Sequence, residues 1–162
     1  MEAADNNPSI NITNQDYKIF CDFLEESCGI VLGSNKMYLV TNRLSTLMVE
    51  NNISCIVELV KSLKQASNHM LREKVIDAMT TNETNWFRDQ HPYKVLKEKI
   101  LPEYKNKRKL RIWSSACSSG QEPYTIIICL SEFMLTNPGA FPDGIEIVGT
   151  DISPSMLEKA KE

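Results

Sequence analysis

The chain has 162 residues, 42% of them hydrophobic and 24% charged, with a formal net charge of -3 at pH 7. That length suits one ordinary domain or two small ones, and the weakly acidic balance provides no field for holding nucleic acid non-specifically. The five cysteines, at 21, 28, 55, 117 and 129, form an odd set with no Cys-x-x-Cys pair, which argues against a disulfide frame and predicts reduced thiols in a cytosol.

In chain order, residues 1–12 (MEAADNNPSINI) are polar and acidic, unlike a signal peptide, and read as a disordered lead. From Thr13 the pattern turns helical, with Tyr17, Phe20, Leu24 and Cys28 at spacings of three and four and Gly29 as a stop. Thr13 and Asp16 have the spacing of a capping box with the shorter acid. A second helix is expected to open near Ser34 and to carry Met37, Val40, Leu44 and Leu47 on one stripe. Ser54 is expected to start a third, with Ile56, Val60 and Leu63 inward, and Asn68 to cap a fourth carrying Leu71, Val75 and Met79. Residues 13–80 therefore read as a small helical bundle.

Residues 81–109 read as a linking segment: a helix over Pro92 to Tyr104, kinked or split by Pro102, then a basic linker at Lys105 to Lys109. From 110 the signal changes to α/β. Leu110 to Ala116 and Ile145 to Ile152 read as buried strands, with a nearly all-apolar helix over Tyr124 to Leu135 between them. Ser153-Pro154 opens a last helix, with serine at the cap and proline in the first turn. Strand, helix, strand, helix is the opening of a parallel sheet. The longest apolar run, Ile126 to Leu130, is far too short to span a bilayer.

The turn SSACSSGQEPYT (114–125) joins the first strand to its helix. In open α/β sheets ligands bind at the carboxyl ends of the strands, and Ser118, Ser119 and Gly120 let a backbone come close. Glu122 lies in the first turn of the helix, where a carboxylate suits the dipole but repels a phosphate. Asp151, at the end of the second strand, stands where an acid commonly takes ribose hydroxyls. An acidic pocket with a ribose site fits S-adenosyl-L-methionine, which carries an amine and a sulfonium, better than NAD. Taken alone, Glu122 reads equally well as a helix-terminus charge and Asp151 as a cap.

Three stretches together go further: TTNETNWFRD (80–89), LRIWSSACSSGQEPYT (110–125) and IVGTDISPSMLEKAKE (147–162) resemble the CheR family of chemotaxis receptor methyltransferases. GIVLGSNKMYLVTNRL (29–44) resembles that family's N-terminal domain. The resemblance runs from about residue 13 to residue 162. It implies a small N-terminal helical domain followed by the opening of a Rossmann-like, S-adenosylmethionine-dependent methyltransferase domain. The activity it implies is transfer of a methyl group to glutamate side chains of chemoreceptors in the cytoplasm, giving methyl esters and S-adenosyl-L-homocysteine. By position, Asn82, Thr84 and Arg88 correspond to cofactor contacts, with Arg88 as partner of the cofactor's carboxylate. Glu122 matches the family's acid before Pro-Tyr, and Asp151 its ribose-binding acid. Lys36 and Arg43, seven apart, are candidates for a receptor-docking patch. No catalytic side chain is assigned, and His69 and His91 have no metal-ligand spacing.

The family's catalytic domain has a larger central sheet than the two strands seen here, so residues 110–162 are expected to be an incomplete domain. Alone, such a chain is expected to transfer no methyl groups and to associate through its open strands. The alternative functions are a non-catalytic module that senses S-adenosylmethionine or docks on a receptor and, third, a nucleic-acid or small-molecule methyltransferase.

Overall fold

The computed structural model describes residues 12–162, so all but the last residue of the expected lead lie outside it. Two compact units divide between Thr80 and Thr81.

The first unit holds α1 (Asn14–Cys28), α2 (Met37–Glu50), α3 (Ile56–Leu63) and α4 (His69–Met79), with a 3₁₀ turn at Ala66–Asn68. Both halves of the capping box on α1 form, the Asp16 amide donating to Thr13 Oγ1 and the Thr13 amide to Asp16 Oδ2. Ile12 is buried just ahead of the cap, in the position of a hydrophobic staple, rather than belonging to a disordered lead. Gly29 ends α1 in the left-handed conformation (φ 74°), its amide returning to Glu25 O. Phe20, Leu24, Val40, Leu44, Leu59, Leu63 and Val75 form a fully buried centre.

Two helix starts and one cap differ from the sequence expectation. α2 begins at Met37 rather than Ser34, with Lys36 at its N-cap. Ser54 stands one residue before the Cys55 cap, and its amide and hydroxyl both donate to Glu58 Oε2 at 2.9 Å. Asn68 occupies the N-cap of α4 without capping it, because its amide donates back to Ser62 O and Oγ.

The second unit opens with α5 (His91–Val95), a π-helical turn (Leu96–Ile100) and α6 (Leu101–Tyr104). Pro102 has no N–H for Glu98 O and its ring crowds that carbonyl. The preceding turn is widened there, and the Leu101 amide reaches back to Leu96 O. β1 (Leu110–Ser114), α7 (Gln121–Thr136) and β2 (Ile145–Gly149) then form a parallel βαβ unit, followed by α8 (Pro154–Ala160). The pairs run from Leu110↔Ile145 to Ser114↔Gly149. Ser153 caps α8 as expected, accepting from the Met156 amide at 3.2 Å.

The strands are shorter than expected and are not buried on both faces. Leu110, Ile112, Ile145 and Ile147 pack with Ile126, Cys129, Leu130 and Phe141. On the other face, successive side chains alternating across the pleat, Trp113 is 70% exposed and Val148 43%. Arg111 on that face pairs with Glu146 at 3.0 Å. The Lys105–Lys109 run also does more than link. Arg108 forks onto both oxygens of Asp143 at 2.6 and 2.7 Å, and Lys109 reaches Glu146 at 3.0 Å. The Lys109 hydrogen bond, followed by the Arg111 charge, holds the Glu146 carboxyl below its usual range.

Candidate cofactor site

Parallel pairing brings the ends of β1 and β2 side by side, and two backbone bonds carry that register past the strands. The Thr150 amide donates to Ser114 O at 2.9 Å and the Cys117 amide to Thr150 O at 3.0 Å. The turn between β1 and α7 is tight: Ser118 (φ 46°) and Gly120 (φ 94°) are left-handed, and the Gly120 amide returns to Cys117 O. A Cβ on Gly120 would lie 2.9 Å from the Tyr124 ring and 3.2 Å from the Ala160 Cβ, so this position requires glycine.

Asp151 is half-buried at the end of β2, and its carboxylate clasps the turn. Oδ2 accepts from the Ser118 amide at 2.7 Å and Oδ1 from the Ser153 amide at 2.9 Å. A carboxylate offers about four acceptor positions, so two backbone bonds leave room for ligand hydroxyls. Glu122 stands in the first turn of α7 and accepts from Ser114 Oγ at 2.7 Å. The Cys117 thiol between these acids is pushed up, first by burial and then by the Asp151 charge, with Glu122 adding to it.

Asn82 and Thr84 are half-buried and Arg88 is exposed. Asn82 is tied to the turn through its backbone, since Ser118 Oγ donates to Asn82 O at 3.0 Å. Arg88 Nη1 closes a loop onto Glu83 O at 2.9 Å, and its Nε lies 3.9 Å from Asp89. Asn82, Glu122 and Asp151 are thus linked through Ser114 and Ser118, whereas Thr84 and Arg88 follow on the same segment as Asn82. Ser114 and Thr125 were not singled out by sequence reading. Their signal would have been a hydroxyl at the last position of an apolar strand and another inside an apolar helix.

In the first unit, Lys36 is exposed at the start of α2, but Arg43 is committed to structure. Its Nη1 donates to Ala78, Met79 and Thr80 carbonyls at 3.4, 3.0 and 3.2 Å, capping the C-terminus of α4. Among the described residues no cluster of His, Cys, Asp and Glu is arranged to hold a metal, and no helix is long and apolar enough to cross a membrane.

The donor set fits S-adenosylmethionine. Residues 114–122 and 150–153 contain two carboxylates and neither Lys nor Arg, which favours a ligand bearing cations and hydroxyls over a phosphate. A cleft of about 440 Å³ between α7 and α8 adjoins the β1–α7 turn, lined by Cys117, Gly120, Tyr124, Ile127, Gly149 and Leu157 among others. Glu158 and Lys161 also line it, whereas Glu122 and Asp151 do not.

Comparison with known proteins agrees. Residues 15–80 match the family described as CheR methyltransferase, all-alpha domain, and residues 82–162 match CheR methyltransferase, SAM binding domain. The chain is 52% identical over 155 residues to chemotaxis protein methyltransferase 1 of Pseudomonas aeruginosa, covering 94% of this chain and 56% of that protein. It is 47% identical over 154 residues to chemotaxis protein methyltransferase 1 of Vibrio cholerae, again with 94% and 56% covered. With the chemotaxis protein methyltransferase of Borreliella burgdorferi it shares 35% identity over 162 residues, 96% of this chain and 56% of that protein. The chain spans a little over half the length of these curated relatives. Its two matched domains place the chain in the CheR methyltransferase family, whose cofactor is S-adenosyl-L-methionine.

Proposed function

We propose that this protein takes part in transferring a methyl group from S-adenosylmethionine to glutamate side chains of chemoreceptors, giving methyl esters. The observation that carries the reading is the pair of carboxylates, Glu122 and Asp151, at adjacent strand ends within the stretch matched to the SAM binding domain. The names of the relatives, chemotaxis protein methyltransferases, support the process.

When bound, the cofactor supplies a methyl group on a cationic sulfur. Glu122 favours the cationic part and Asp151 the ribose hydroxyls, while Arg88 takes the carboxylate and Asn82 and Thr84 add polar contacts. A substrate glutamate, with a pKa of about 4.3, is already ionised at neutral pH. The protein therefore has to orient the reactants and exclude water, and needs no general base. The receptor is read by the first unit, where Lys36 is the accessible cation of the proposed patch and Arg43 contributes only what its capping role leaves. That the relatives are nearly twice as long supports reading this chain as the all-α domain and the first part of the catalytic domain. Alone it binds cofactor weakly or not at all and transfers no methyl groups.

The test is to incubate the full-length protein with labelled cofactor and receptor-bearing membranes. Base-labile label in the receptors is expected, slowed at low salt by Lys36→Glu. Glu122→Gln and Asp151→Asn are expected to weaken cofactor binding by roughly ten- to a hundredfold, the loss of a charge-assisted hydrogen bond. Cofactor binding with no label in any receptor would favour the sensing module. Unchanged affinity in both variants would remove the two acids from the site.

A further inference from the structure

Residues 81–90, which carry Asn82, Thr84 and Arg88, contain no helix or strand, and their backbone is strained. Phe87, Asp89 and Gln90 have φ of 52°, 60° and 43°. Left-handed backbone is unfavourable for residues with a Cβ and persists only where the surroundings hold it. Two buried hydroxyls do so here. Ser118 Oγ donates to Asn82 O at 3.0 Å, and the Phe87 amide donates to Thr125 Oγ1 at 3.4 Å. Ser118 is itself fixed by Asp151 through its amide, and Thr125 by its own bond to Gln121 O at 2.6 Å. Both side chains are buried, Thr125 completely. The rings add a looser hold, Phe87 edge-on to Tyr93 with centroids 5.9 Å apart and Trp86 at 6.4 Å from Tyr124.

We propose that Ser118 and Thr125 are positioning residues: their hydroxyls fasten both ends of the 82–88 segment, to the β1–α7 turn and to α7, and so set cofactor affinity without touching the cofactor. The proposal rests on the reading of Asn82, Thr84 and Arg88 as cofactor contacts. It distinguishes these hydroxyls from the small or apolar residues that packing alone would accept. Valine has nearly the shape of threonine but cannot accept the Phe87 amide bond, whereas serine can.

The experiment uses the full-length protein, with S-adenosylhomocysteine titrated by calorimetry and amide hydrogen exchange followed without cofactor. Ser118→Ala and Thr125→Val are each expected to weaken binding about three- to tenfold, the loss of one ordinary hydrogen bond. Both are expected to speed exchange in residues 82–90 and not along α7, while Thr125→Ser behaves as wild type. Unchanged exchange in 82–90, or faster exchange with unchanged affinity, would overturn the proposal, as would loss of protection throughout the second unit. Arg88→Ala separates the two readings. Wild-type affinity there sinks the assignment of the segment. Weakened Arg88→Ala beside unaffected Ser118→Ala and Thr125→Val sinks only the fastening.

Discussion

Glu122 and Asp151 are both carboxylates, yet they act differently on the chain around them. Asp151 accepts two backbone amides and so shapes the turn, whereas Glu122 accepts one hydroxyl from Ser114 and is otherwise turned outward. In the first unit Tyr17 shows what burial does to a single titratable group. Its hydroxyl donates to Gly33 O at 2.7 Å, tying down the loop after α1. Burial, with Cys21 adding to it, pushes its phenol up to about 12. The unfolded chain releases that proton near pH 10, so the folded state holds it more tightly. Stability from Tyr17 is fully present below about pH 10 and is lost as pH rises toward about 12. In urea titrations across that range, Tyr17→Phe should have a shallower alkaline loss than wild type. It should also be about 1 kcal/mol less stable at neutral pH through the missing hydrogen bond. Parallel alkaline arms in the two proteins would show that another group is responsible.

Among the elements, the β1–α7 turn has the least tolerance. Gly120→Ala must hold a left-handed residue with a Cβ against the Tyr124 ring, and is expected to destabilise the second unit by about 1–2 kcal/mol. An unfolding midpoint equal to wild type would mean that the turn relaxes. Much of the helical framework could be read from sequence because its signals are local: the Thr13/Asp16 box, Gly29 after α1 and Ser153-Pro154 before α8 act within four residues. The strand faces were misread because LRIW and IEIV look continuously apolar, although Arg111 and Glu146 already marked an outer face. Arg43 was equally opaque, since its carbonyl partners lie 35 to 37 positions away. The two acids of the proposed site could be picked out from their places after strands. The hydroxyls that connect them were not, because a serine or threonine carries no mark of the partner it will find across the fold.

For the molecule as a whole, the open sheet face has a direct physical consequence. Trp113 and Val148 share it, and Leu135 and Ile152 are exposed elsewhere on the same unit. Exposed apolar groups beside unpaired strand edges invite association. This 162-residue chain is therefore expected to grow in light scattering with concentration, and Trp113→Lys to suppress that growth. A monomer at every concentration would refute the expectation. The register of the sheet also governs timing. Each β1–β2 pair joins residues 35 positions apart, so no strand bond can form until α7 and its loops are closed. Helices need only near neighbours, and chains dominated by distant pairings fold more slowly. Both tryptophans, Trp86 and Trp113, belong to the second unit, and the Trp113 indole N–H donates to Thr150 Oγ1 across the strand ends at 2.9 Å. On dilution from denaturant, circular dichroism should therefore recover its helical signal in an earlier phase, with tryptophan fluorescence lagging until the strands meet. A single phase common to both probes would mean that the two units fold as one.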